Sequence, residues 1–303
     1  MRWHKRGLLV TPSGALPWMR THAAVPAAEP QPDGRVRIYF SGRDEQNRSH
    51  PGSVDVQLGD APEARPLPTG PLLPLGEPGS FDDAGVMPCW VVVDGQSHYL
   101  YYTGWSLAAA VPFRNAIGVA VSQDGGRTFV RHSTGPILDR SVHDPAFVAS
   151  PCVLMDGGRW RMWYTSCVGW ERLPAGLRHR YHIKHAESAD GLEWRARGTV
   201  CIDFASPDEY AISRPCVVRD PDRYRMWYSH RGASYRIGYA ESLDGIHWTR
   251  RDDEAGLEVS PTGWDSEMVC YPFVFDHGGR RHVLYNGNAF GRDGLGHAVL
   301  EGP

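Results

Sequence analysis

A chain of 303 residues with 32 Lys and Arg against 35 Asp and Glu carries a formal charge of only −3, and no basic run suits nucleic acid or an anionic membrane. No apolar stretch approaches the roughly 20 residues of a membrane span. The start, with Trp3, His4, Lys5 and Arg6, lacks the apolar core of a secretion signal, so a cytoplasmic location is expected.

Eleven Trp, thirteen Tyr, 34 Gly and 24 Pro, without long helix-forming runs, point to a turn-rich all-β protein. The six cysteines show no C-x-x-C spacing suited to zinc, and a disulfide framework is not expected in so large a chain. Neither a metal nor a cofactor is expected. Cys89, Cys152 and Cys216 each follow a proline at matching positions and read as small buried apolar residues.

In chain order the predicted elements fall into repeats. The opening "RWHKRG" places Trp3 and Gly7 where "EWRARG" places Trp194 and Gly198. A degenerate first copy, "VPAAEPQPDGRVRIYFSGRD", precedes "MPCWVVVDGQSHYLYYTG" with "AIGVAVSQDGGRTFVR". A third follows as "SPCVLMDGGRWRMWYTS" with "YHIKHAESADGLEWRARG", and a fourth as "RPCVVRDPDRYRMWYSHRGASYRIGYAESLDGIHWTR". The fifth, "CYPFVFDHGGRRHVLYNGN" with "GLGHAVLEG", stops after its third strand.

Each copy predicts four short antiparallel strands: a Pro-led apolar run, a D-G or G-G turn, an aromatic run, a run like "IGYAES", another turn and a Trp-bearing run. Such units stack around a channel, so the sequence predicts a five-bladed β-propeller spanning residues 1–303 as one domain. The N-terminal strand completes the last blade and removes an exposed sheet edge.

Most of the repeat signature is structural. In "SADGLEW" and "SLDGIHW" the D-G pair suits a turn with positive φ, and the Trp packs between blades. His182 and His185 lie three apart on a strand, which points them to opposite faces and keeps them from sharing a metal.

Chemistry is expected where the innermost strands begin, because those ends line the channel mouth. The segments there break the repeat: "MRTHAAVP", "FDDAGVMP", "HDPAFVASP", "DEYAISRP" and "WDSEMVCYP". Asp83 and Glu267 both stand five before their proline. Asp82, Asp144, Glu209 and Asp265 are placed at the same mouth, with His22, His143 and Arg214 among them. Converging carboxylates raise one another's pKa, which is how one site holds both an acid and a base. The competing reading makes them caps of turns. Arg43, His230, Arg231, Asn286 and Asn288, which follow second strands, and Tyr271 of "GWDSEMVCYP" are candidate substrate-binding residues. The insertions "CVGWERLPAGLRHRY" and "GWSLAAAVPFRN" either wall a pocket or ornament the surface.

The five copies resemble the five-bladed propeller superfamily of arabinanases, xylosidases, invertases and levansucrases. More closely, "YRIGYAESLDGIHW" and "GWDSEMVCYPFVF…LYNGN" are similar to a propeller group associated with bacterial surface-polysaccharide genes and to the propeller domain attached to some plant glycosyltransferases. The resemblance covers nearly the whole chain. It implies glycoside hydrolase-like chemistry, in which a catalytic Asp immediately precedes the inner-strand Pro of the first and third blades and a Glu stands two before that of the fourth. Those positions hold Val25, Ser150 and Ser213 here. The family's two-carboxylate chemistry is retained only if the site has moved to Asp83, Asp144, Glu209 and Glu267.

The leading expectation is therefore a carbohydrate-active enzyme acting on a glycoside, oligosaccharide or sugar-like metabolite. Glu267 is its general acid and Asp83 its base, with His22 as the substitute base. Arg214 orients the substrate, and Asp144 and Glu209 tune the pair. A biosynthetic cyclase, lyase or isomerase on the same scaffold, and a non-catalytic sugar-binding propeller, are the alternatives.

Overall fold

The computed structural model describes residues 1–59, 62–68 and 70–302. After β1 (Trp3–Val10) comes a meander of β2 (Thr21–Pro30), β3 (Val36–Arg43), β4 (Ser49–Gln57) and β5 (Glu63–Ala64). The second runs β6 (Gly85–Asp94), β7 (Ser97–Leu107), β8 (Phe113–Ser122) and β9 (Val130–Arg131). The third comprises β10 (Phe147–Asp156), β11 (Arg159–Leu173), β12 (Gly176–Ser188) and β13 (Trp194–Ile202). In the fourth, β14 (Ala211–Arg219), β15 (Tyr224–Arg231), β16 (Tyr235–Ser242) and β17 (Thr249–Arg250) follow one another. The last has β18 (Cys270–His277), β19 (Arg280–Asn286) and β20 (Leu295–Leu300), with one irregular turn, α1 (Asn288–Gly291), between its second and third strands.

The edge of that last group is covered by β1, which pairs antiparallel with β20 and sets Trp3 opposite Leu300 and Gly7 opposite His297. The first strands β2, β6, β10, β14 and β18 each neighbour the next, and β18 returns to β2. The protein is all-β, and its apolar core runs through all five groups.

The repeat residues explain how neighbours lock. Asp190 and Asp244 accept the N–H groups of the residues two and three positions on, and Gly191 and Gly245 take φ of 77° and 74°. Each glycine carbonyl then accepts two aromatic donors. Trp194 of the same meander (3.1 Å) and Tyr101 of the preceding one (2.8 Å) meet on Gly191, and Trp248 (3.0 Å) and Trp163 (2.7 Å) meet on Gly245. At the closing seam Trp3 donates to the Ala255 carbonyl at 2.9 Å, with its ring edge-on to Trp227. All six cysteines are buried and unpaired. Cys152 and Cys216 accept the N–H groups of Val217 and Val274 and so tie β10 to β14 and β14 to β18. His182 meets Asp203 at 3.0 Å, whereas His185 lies against Arg161. Among the described residues no helix is long and apolar enough to cross a membrane.

Candidate functional site

By antiparallel topology, the starts of the first strands, the ends of the second and the starts of the third share one end of the molecule, here called the mouth. There each first strand carries a bulge at its proline. In four of the five the residue before that proline is forced to positive φ: Val25 (50°), Ser150 (49°), Arg214 (55°) and Tyr271 (57°). Non-glycine residues in this region cost on the order of 1–3 kcal/mol each and persist only where the surroundings over-determine them. The surroundings are side chains of the preceding meander. The freed N–H of Val25 is taken by Asn286 (2.9 Å), that of Ser150 by Thr103 (2.8 Å), that of Arg214 by Thr165 (3.3 Å) and that of Tyr271 by Ser229 (2.7 Å). Val25 and Ser150 occupy two of the positions where the glycosidase resemblance expects acids.

Most of the carboxylates placed here from sequence are instead bound within their own meander. Asp82 is buried and accepts from Tyr102 (3.1 Å) and Arg131 (2.9 Å). Asp144 is fully buried and accepts from Tyr164 (3.2 Å) and Ser166 (2.6 Å), with the Lys184 ammonium at 3.5 Å. Asp265 takes Tyr285 (3.0 Å) and Lys5 (2.7 Å). In the fourth meander Tyr228 donates to Asp252, and Arg250 forks between Asp252 and Glu209, meeting the latter at 2.8 and 2.9 Å. One arrangement thus recurs: a second-strand Tyr, an acid, and a cation from the third or outermost strand. In the first meander Phe40 replaces the Tyr and stacks on Trp18.

Burial would raise the Glu209 carboxyl, but hydrogen bonds from Arg250, His230 and the Ala205 N–H hold it down at about 2. His230 is spent on Glu209 at 3.0 Å. The His143 carbonyl accepts the Lys184 ammonium, and its ring lies so close to Gly198 of β13 that a Cβ there would come within 2.9 Å of it. Asp83 caps a turn by accepting the Gly79 N–H at 2.9 Å.

Arg214 is 1% exposed and crosses the ring of first strands, donating to the carbonyls of Pro26 in β2 and Cys89 in β6. Asn286 is wholly engaged, holding Val25 and donating to the carbonyls of Ala23 and Gly294. Asn288 fixes the loop before β18 by accepting from the Glu267 N–H at 2.8 Å.

The structure brings a different set together. Tyr181, Tyr210, Tyr235 and Phe147 form a separate apolar cluster at the mouth, with Phe113, Trp170, Tyr271 and Phe290 packed against it. Tyr181 and Tyr235 are joined hydroxyl to hydroxyl. Phe290, in a left-handed turn at φ 60°, stacks on Tyr271 and meets Tyr235 edge-on. The Arg231 guanidinium lies over the rings of Tyr210 and Tyr235 at 5.5 and 5.3 Å. Burial and the neighbouring Tyr235 push the Tyr271 hydroxyl far up its scale, while Arg43 and Arg231 both oppose the rise. Burial, then the charge of Arg43, lowers His22 to about 4 against the opposing Ala289 carbonyl, so it is neutral at pH 7, and its Nδ1 meets the Thr21 hydroxyl at 2.9 Å. Sequence reasoning missed Tyr181, Tyr210, Tyr235 and Phe290. The signal that was present is the pair of insertions, which supply Trp170 and Phe113.

No family model matches the chain. It is 47% identical over 301 residues to "Uncharacterized protein MT1551" of Mycobacterium tuberculosis strain CDC 1551 / Oshkosh, covering 99% of this chain and 100% of that one. Its identity to "Uncharacterized protein Rv1502" of strain ATCC 25618 / H37Rv is 46%, with the same coverage. The chain belongs to the family of these mycobacterial proteins. Among solved structures the family fold matches glycoside hydrolases of the five-bladed propeller superfamily. A thermostable family-43 glycoside hydrolase aligns with TM-score 0.71 and 16% identity over 97% of this chain and 96% of its own. Another glycoside hydrolase gives TM-score 0.76 and 17% identity over 99% of this chain and 92% of its own. The Bombyx mori GH32 beta-fructofuranosidase BmSUC1 gives TM-score 0.68 and 15% identity, with this chain covering 62% of its length.

Proposed function

We propose that residues 1–303 form one five-bladed propeller domain, closed by β1, that acts on a carbohydrate at its mouth. The carrying observation is the aromatic cluster in which half-buried Tyr271 and Phe290, both at positive φ, pack on buried Tyr181 and Tyr235, with Arg43 and Arg231 alongside. Flat aromatic faces accept the C–H surface of a sugar ring, and guanidinium groups take its polar substituents. Asp82, Asp144, Glu209 and Asp265 serve the fold. The groups left for proton transfer are Glu267 and His22, which flank one turn: Asn288 holds the Glu267 N–H, and the backbone of the next residue, Ala289, lies beside the His22 ring. Neutral His22 suits a base and Glu267 an acid. Asp83, already capping a turn, is the weaker base.

A second reading, sugar binding without turnover, is favoured by Val25, Ser150 and Ser213 at the places where related glycosidases carry acids. A panel of neutral and charged glycosides and sugar nucleotides, assayed for both binding and turnover, separates the two. Saturable binding lost in Phe290→Ala supports the mouth as the site. Turnover that falls in Glu267→Gln supports the enzyme, and binding that survives with no turnover supports the second reading.

A further inference from the structure

Arg43, Arg214 and Arg231 lack the carboxylate partners that five other arginines of the blades have. Arg37, Arg131, Arg161, Arg250 and Arg281 are each paired with a carboxylate between 2.6 and 3.6 Å away. By contrast, Arg43 meets only Asn47 through its side chain, at 2.8 Å, and Arg214 meets only the carbonyls of Pro26 and Cys89. Arg231 meets only aromatic rings. None of the three has a carboxylate partner among the described residues. The Nε groups of Arg214 and Arg231 are buried without a hydrogen-bond acceptor, and Arg214 as a whole is 1% exposed. Arg43 and Arg231 are the last residues of the second strands β3 and β15, which end at the mouth, and both charges bear on the Tyr271 hydroxyl.

A buried cation without a counter-charge is costly unless function retains it. The carboxylates that would neutralise these three are bound elsewhere: Asp144 to Lys184, Glu209 to Arg250 and His230, Asp265 to Lys5. These carboxylates are therefore not available to the three guanidinium groups. We infer that the sugar taken at the mouth is anionic, its carboxylate or phosphate seated between Arg43 and Arg231 beside the Tyr271 hydroxyl, with buried Arg214 adding a fixed positive field from below. This rests on the carbohydrate reading above. It narrows the substrate class from glycosides in general to uronic acids and sugar phosphates.

The test measures dissociation constants by titration calorimetry for methyl glucoside, glucuronic acid, glucose 1-phosphate and inorganic phosphate. The proteins are wild type, Arg43→Gln and Arg231→Gln, both half-buried positions, and melting curves confirm that each variant is folded. At least one anionic sugar is expected to bind ten-fold or more tightly than methyl glucoside. Each Gln variant should remove about ten-fold of that preference, the anionic sugar losing more affinity than methyl glucoside does. Glucuronic acid against glucose 1-phosphate decides which anion is taken. Equal affinity for neutral and anionic sugars, unmoved by either variant, overturns the anionic inference and leaves the carbohydrate reading standing. Phosphate binding with no sugar binding at all overturns both.

Discussion

At the scale of the residue, Asp144 is a candidate acid that lies fully buried, bound by Tyr164, Ser166 and Lys184 of its own meander. Asn at this position keeps the shape but leaves Lys184, itself 5% exposed, without its counter-charge. Breaking a buried pair in this way costs about 3 to 5 kcal/mol. Denaturant unfolding of Asp144→Asn should show that loss, while the affinity of any mouth ligand stays within about three-fold of wild type. Glu209 makes the same point through pH. Its carboxyl titrates near 2 in the fold against an ordinary 4.5, so its contribution is fully present above about 4.5 and is lost as pH falls toward 2. Stability measured across that window should fall less steeply in Glu209→Gln than in wild type. These roles were hidden in sequence because each partner comes from another strand. Lys184 follows Asp144 by 40 residues, and Lys5 precedes Asp265 by 260.

At the scale of the element, β1 is the strand whose place the repeat foretold, because "RWHKRG" and "EWRARG" share a Trp and a Gly at one spacing. The Gly matters for a physical reason: Gly7 and Gly198 take φ of 90° and 78°, at register irregularities in β1 and β13. The strand's anchor is Trp3, 7% exposed, with its indole N–H on Ala255. Trp3→Ala should cost about 3 to 5 kcal/mol. A protein lacking residues 1–10 should melt well below the parent, since β20 then presents an unpaired edge. A truncated protein with the parent's melting temperature would mean that this pairing adds nothing. The first-strand bulges, in contrast, were not legible. A proline following Val, Ser, Arg or Tyr does not announce positive φ, and the Thr, Ser or Asn that holds each bulge lies in the preceding repeat.

At the scale of the whole molecule, the sequence carried the architecture because turns, prolines and inter-strand tryptophans recur at fixed places, and each recurrence has a local cause. The mouth is where the repeats stop agreeing, so periodicity could mark its location but not its contents. Tyr181, Tyr235, Tyr271 and Phe290 come from three successive meanders and meet only where these pack side by side. Tyr271 and Phe290 stay half-exposed there beside Arg43 and Arg231, while Asp82, Asp144, Glu209 and Asp265 are withdrawn into the meanders. The most direct measurement is a crystal structure of the protein soaked with the tightest-binding sugar from the panel. The account predicts the sugar ring against Tyr271 or Phe290, with a polar substituent within hydrogen-bond reach of Arg43 or Arg231. A sugar found instead in the cleft of about 310 Å³ lined by Trp18, Asp44 and His50, with the mouth empty, would contradict it.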